Sequence, residues 1–168
     1  MQLIDIDKAR YRKHLNRVII GCIAVLVVGS LGIAQLLIAL FPDSSGSHFH
    51  WNLLGVVMTS AFVAYLLYSV RQHPYMTEVV YVWQLKNALN KVNRKLMSIQ
   101  QAADKGEREA MLALQFSYAG SRLLWHLDDN TIVLEELTLA QAKLDALAKQ
   151  YNMVLDAKDY QEHMLKQF

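Results

Sequence analysis

The side chains best suited to metal or proton chemistry stand closest together at His48-Phe49-His50. Two imidazoles two residues apart, with Asp43 upstream, could share a transition metal. A closed zinc site takes four ligands, however, and a catalytic one takes three plus water. The expectation is therefore a polar, aromatic loop with no resident metal or other cofactor, with His48 and His50 kept as the only metal candidates. Asp128-Asp129-Asn130 offers oxygen ligands but lacks the spread spacing of a calcium loop. It reads as a helix end followed by a turn and cap. Trp83 and Trp125 read as helix-packing aromatics, and His126 as a helix-end histidine, with no Asp, Ser or Cys placed to complete a catalytic unit. Glycine-rich phosphate loops, HExxH and the nucleophile elbow are absent from the sequence. The single Cys22 supports neither an internal disulfide nor a metal-binding pair. An enzyme is not expected.

The elements that carry these residues are dominated by two uncharged apolar stretches, 18–41 and 53–70, of 24 and 18 residues. A helix spanning the hydrocarbon core needs about 20. Neither stretch has the polar face of a soluble core helix, and the first lacks a small-x-small cleavage pattern, so it reads as an uncleaved anchor. Lys8, Arg10, Arg12, Lys13 and Arg17 precede the first stretch, Arg71 follows the second, and the loop 42–52 has no Lys or Arg. The positive-inside rule then places both termini in the cytoplasm and the loop outside. A hydrophobic fraction of 54% beside 19% charged residues fits a small membrane protein with a helical extension.

Within the first stretch, Gly21, Val25, Val28, Gly32, Gln35 and Ala39 fall on one stripe. Small residues let membrane helices approach closely, and an amide can hydrogen-bond across the contact. Gly55 and Thr59 offer a matching pair on the second helix. The expected use is packing within the hairpin; packing between copies is the alternative.

Beyond residue 71 the chain reads as helical. Only Pro42 and Pro74 occur, and no run alternates at period two. From residue 72 onward there are 11 Lys+Arg and 12 Asp+Glu, against five and two before residue 18. That distribution argues against nucleic acid, which needs a concentrated basic patch, and fits an N-terminal segment beside anionic headgroups. A helix is expected over 74–103, because Val82, Leu85, Leu89, Val92, Leu96 and Ile99 recur at steps of three and four. This heptad seam, about three repeats long, suits packing against a second copy. A turn at 104–106 leads to a helix over 107–127 with Met111, Leu114, Tyr118, Ser121 and Trp125 as core candidates. The β-branched 131–133 reads as an extended link. A third helix is expected over 134–151, with Thr138-x-x-Gln141 offering a later start. The tail 152–168 reads as a short amphipathic helix or a mobile end.

The expected fold is an all-α membrane protein: a basic segment 1–17, a two-helix transmembrane hairpin 18–70, a cytoplasmic helical bundle of about three helices over 71–151, and a tail 152–168. The segments DKARYRKHLN, HPYMTEVVYVWQLKNALNKVNRKL and LLWHLDDNTIVLEEL, set around the two spans, resemble a family of small two-span bacterial inner-membrane proteins known only as a domain of unknown function. The resemblance implies a bacterial inner-membrane location and no catalytic residue. The expected function is a membrane-anchored interaction or scaffold module whose partners are the lipid bilayer and either a second copy or another inner-membrane protein. A subunit of an oligomeric channel is the alternative, and a sensor using the outer histidine loop ranks below it.

Overall fold

A computed structural model describes residues 2–42, 46–130 and 134–168. The described residues are helical or irregular, with no strand among them. They form two compact units: Ala9–Val79, and Met1–Lys8 together with Val80–Phe168.

The first unit is a hairpin of α1 (Lys8–Leu40) and α2 (Phe49–Val70). Helix α1 begins well before the apolar run, so most of the basic segment 1–17 is its first turns and not a separate region. Lys, Arg, Ala and Leu favour helix, and nothing before Gly21 interrupts it. The connection is shorter than 42–52, since His50, Trp51 and Asn52 already belong to α2. Asp43 lies outside the described residues. After α2, the His73 Nδ1 accepts a hydrogen bond from the Tyr75 N–H at 3.2 Å. Pro74 then opens a 3-10 turn, Pro74–Met76, as suits a residue without an N–H to satisfy.

The second unit packs α3 (Thr77–Asn93, from Val80 onward), α4 (Leu96–Asp104), α5 (Arg108–Asp128) and α6 (Leu134–Gln150). The single helix expected over 74–103 is broken. The Lys95 N–H reaches back three residues to the Val92 carbonyl, which tightens the last turn, and Lys95 itself leaves helical geometry at φ −115°, ψ 12°. Helix α4 then starts at Leu96, with Ile99, Ala102 and Ala103 buried. It ends at Gly106, whose φ of +88° glycine adopts without strain.

Helix α5 is the centre of this unit. Ala110 to Leu114 are buried without a break, followed by Phe116, Ser117 and Gly120. A helix buried on consecutive positions is covered on all sides. Of its expected core positions, Met111 and Leu114 are buried, while Tyr118, Ser121 and Trp125 are half-buried. Its C-terminus closes on Asp129 in the left-handed region, with the Asn130 N–H bonded to the Trp125 carbonyl. Helix α6 starts at Leu134, so Thr138 is interior and not a cap. It buries Leu137 and Leu144.

The tail is neither an amphipathic α-helix nor loose. It forms two 3-10 segments, Ala157–Asp159 and Glu162–Gln167, that drive Tyr160 and Leu165 into the core. The Tyr160 ring stacks on Phe116 at 4.3 Å. The N-terminal residues join this unit too. The Ile4 N–H donates to the Tyr81 hydroxyl, which donates to the Gln2 carbonyl, and Lys8 pairs with Asp129.

Candidate functional site

Four places bring polar or close-packed residues together, and each is built from a different part of the fold. In the hairpin, α2 turns one four-residue stripe toward α1. Gly55, Thr59 and Val63 are buried, with Trp51 and Leu67 half-buried on the same line. A Cβ on Gly55 would lie 2.6 Å from the Ser30 carbonyl oxygen, and one on Gly29 would lie 2.7 Å from the Thr59 methyl. Only hydrogen fits at either position. Thr59 satisfies its hydroxyl by donating to the Gly55 carbonyl at 2.8 Å, so a polar side chain can be buried here without an unpaired donor.

The small residues of α1 that meet this stripe are Gly29, Ser30 and Ala34, and not the expected stripe. Val28, Gly32 and Gln35 face outward, with Val28 73% exposed, and a Cβ on Gly21 or Gly32 would touch nothing within 4 Å. Gly21 and Val25 border a cleft of about 190 Å³ between α1 and α2, closed on the other side by Val63, Leu67 and Val70. Packing within the hairpin is thus corrected from Gly21, Val28, Gly32 and Gln35 to Gly29, Ser30 and Ala34. Gly55 and Thr59 sit in the contact.

At the end of the hairpin that holds the first turns of α1, Arg10 and His14, one turn apart, converge on Glu78. The Arg10 Nε stands 2.8 Å from one carboxylate oxygen, and the His14 Nδ1 stands 3.5 Å from the other. The His14 ring stacks on Tyr75 with centroids 3.8 Å apart. The His14 and Glu78 side chains are only 13% and 15% exposed, and the His14 Nδ1 and the facing Glu78 oxygen make no hydrogen bond among the described residues. The arrangement ties the first turns of α1 to the segment after α2. Sequence reasoning missed it because His14 and Glu78 are far apart in the chain; the one local sign was the i, i+4 spacing of Arg10 and His14. Nearby, the Arg71 guanidinium lies 3.9 Å above the Tyr68 ring and donates to its hydroxyl.

At the opposite end, His48 precedes α2 and His50 lies in its first turn against Trp51, which in turn faces Phe41 at 5.6 Å. Among the described residues no group of three or more His, Cys, Asp or Glu is placed to hold a metal ion.

In the second unit the heptad seam is consumed within the chain. Leu85, Val92 and Ile99 are fully buried, Val82 and Leu89 nearly so, and Leu96 packs on the same core. A Cβ on Gly120 of α5 would meet the Leu89 and Leu85 side chains at 3.0 and 3.3 Å, which shows where α3 seats on α5. The expectation of a free seam for a second copy is therefore corrected: its residues are buried within the chain, with Leu85 and Leu89 seated against α5 at Gly120. The surface instead exposes Trp83, Met97, Leu139 and Val154.

Three tyrosines of this unit are held in the neutral form. Burial pushes Tyr160 up to about 12, assisted by the negative charge of Glu162. Burial also raises Tyr118, against an opposing hydrogen bond from Gln100, and Tyr81, against one from Ile4. Two grooves open on the unit. One, of about 480 Å³, lies between α4, α5 and α6, with Leu114 and Leu144 below and Gln100, Tyr118, Glu136 and Lys143 around it. The other, of about 440 Å³, brings Lys91, Arg94 and Lys95 to Glu162, His163 and Lys166. Neither was legible in the sequence, because only the folded-back tail brings 162–166 to 91–95.

The family model described as a protein of unknown function, DUF3087, matches residues 1–165. No match was found among curated proteins or among solved structures.

Proposed function

The chain belongs to DUF3087, a family of unknown function, and we propose that it is a membrane-anchored helical interaction module with both termini in the cytoplasm of a bacterial cell. The observation that carries this reading is the outward apolar surface of α1 and α2. Only 6% and 17% of their most apolar windows are buried within the chain, whereas a soluble core helix of that composition would be mostly covered. At 1.5 Å per residue, the 22 residues of α2 rise about 33 Å, close to a hydrocarbon thickness of about 30 Å. The Arg71–Tyr68 pair suits an inner interface, and Phe41 with Trp51 an outer one. The bundle then serves as the binding part, through exposed Trp83, Met97 and Leu139 and not through the buried seam. The channel reading has less support: Gln35 is a lone amide on the outward face of α1, and no charged residue lies between Val18 and Leu40.

Two measurements test the proposal. Carbonate-washed membranes should retain the full chain, and a reporter active only outside the cytoplasm should be silent at the C-terminus and active at Ser47. Release into the wash, or strong C-terminal activity, would refute the anchor and its orientation. Crosslinking in native membranes followed by mild extraction should recover a defined partner or a second copy. Monomer alone under every condition would refute the interaction role.

A further inference from the structure

We propose that the groove between the α3–α4 turn and the C-terminal 3-10 segment binds a phosphate-bearing anion. Its lining concentrates Lys91, Arg94, Lys95 and Lys166, with His163, against a single acid, Glu162. This concentration stands out in a chain whose residues from 72 onward carry 11 basic and 12 acidic side chains. The other groove of the same unit has the opposite balance, with Asp104 and Glu136 against Lys143.

The local pairing leaves positive charge in excess. Lys91 is used by Glu162 at 2.5 Å, and Lys95 donates to the Leu165 carbonyl at 2.7 Å. Arg94 and Lys166 have no ion-pair partner among the described residues and stay exposed at the groove. Two of these cations lie between two helix ends. Lys95 is the N-cap of α4, Arg94 precedes it, and the first turn of α4 contains no acidic residue. The C-terminus of α3 favours cations and the N-terminus of α4 disfavours them, so the two ends offset each other and the excess charge at the groove is that of its side chains.

The chemistry of the lining selects the ligand class. Arginine offers a planar fork matched to phosphate oxygens, and lysines act beside it as point charges. A phosphomonoester carries about −1.5 to −2, which neutralises most of the local excess, whereas one carboxylate would leave most of it uncompensated. A volume of about 440 Å³ admits a phosphorylated small molecule or a lipid headgroup. The site stands independently of the membrane reading, since its residues all lie in the second unit.

The test uses the full chain in neutral detergent micelles, titrated with inorganic phosphate at constant ionic strength set by chloride and followed by calorimetry. Saturable binding is expected. Arg94→Gln with Lys166→Gln should weaken it at least tenfold, because both side chains are exposed and their loss spares the core. Arg122→Gln with Lys149→Gln removes equal charge elsewhere and should leave binding unchanged. Absence of saturation, survival of binding in the first pair, or equal loss in the second pair would overturn the proposal. Competition by glycerol 3-phosphate would identify a soluble phosphomonoester as the source. Displacement of phosphate in nanodiscs containing phosphatidic acid, but not in pure phosphatidylcholine, would identify a lipid headgroup.

Discussion

The hairpin unit and the bundle unit both build helices from Leu, Val, Ile and Ala, and they point those side chains in opposite directions. In the bundle, Phe116, Leu85, Ile99 and Val92 lose all contact with solvent. In the hairpin, Ile20, Val28, Leu36 and Phe62 stand on the surface, and the buried line of α2 is Gly55, Thr59 and Val63. Removing apolar area from water drives the first arrangement. The second gains nothing from hiding large apolar groups if its solvent is lipid; it gains from close backbone approach, which small residues permit. The bundle core joins large residues to Ala102, Ala103, Ala110 and Ala113, whereas the hairpin leaves most of its large apolar residues outside a contact centred on Gly29, Gly55 and Thr59.

That contrast can be broken by substitution. The largest effect is expected for Phe116→Ala, which removes the ring that Tyr160 stacks on. It should destabilise the bundle by about 3–5 kcal/mol, seen as an earlier thermal transition in circular dichroism, while membrane retention is unchanged. A loss below about 1 kcal/mol would mean that this core does not hold the bundle. Gly55→Leu comes next. It must displace the Ser30 backbone and should cost the hairpin about 1–3 kcal/mol, read as lower resistance to sodium dodecyl sulfate. Gly32→Leu, on the outward face, should leave the monomeric hairpin unchanged; equal effects of the two would reverse the assignment of the contact.

Smaller changes sharpen the bundle side. Gly106→Ala forces a Cβ into the left-handed region and to 2.5 Å from the Tyr151 ring. A cost of about 1–2 kcal/mol is expected from the backbone alone, measurable by urea denaturation. Tyr160→Phe should be neutral or stabilising by up to about 1 kcal/mol, because its buried hydroxyl has no hydrogen-bond partner among the described residues. The same variant sets the sign of an alkaline effect. The folded tyrosine is raised to about 12 from 10.0, so between those values the unfolded chain gives up the proton first and stability falls as pH rises. In Tyr160→Phe that part of the decline should vanish; an unchanged slope from pH 10 to 12 would assign it to other groups.

The two long apolar helices were legible because apolar length alone reveals them. Their facing sides were not. In a helix apolar all round, periodicity carries no directional signal, so Gly21 and Gly32 looked as suitable as Gly29 and Ala34. The seam of α3 was legible as buried positions, yet its occupant was misread: a heptad pattern says that a face must be covered, not whether α5 or a second copy covers it. The break at 94–95 left no sign in the sequence, since Asn93, Arg94 and Lys95 sit comfortably in a helical pattern. The Arg10–His14–Glu78 cluster and the basic groove depend on residues far apart in the chain.

By itself, the sequence determined that the chain is mainly helical, which two helices are long and apolar enough to cross a membrane, and where the charges fall along the chain. Those properties are local and additive, so composition and spacing carry them. Tertiary structure alone decided which face of α1 meets α2, that the seam of α3 is buried within the chain with Leu85 and Leu89 on α5, and that the tail folds back to gather Lys91, Arg94, Lys95 and Lys166 around one groove. Each of these depends on steric fit between distant segments, where a single missing Cβ, as at Gly29 or Gly55, selects one approach over another.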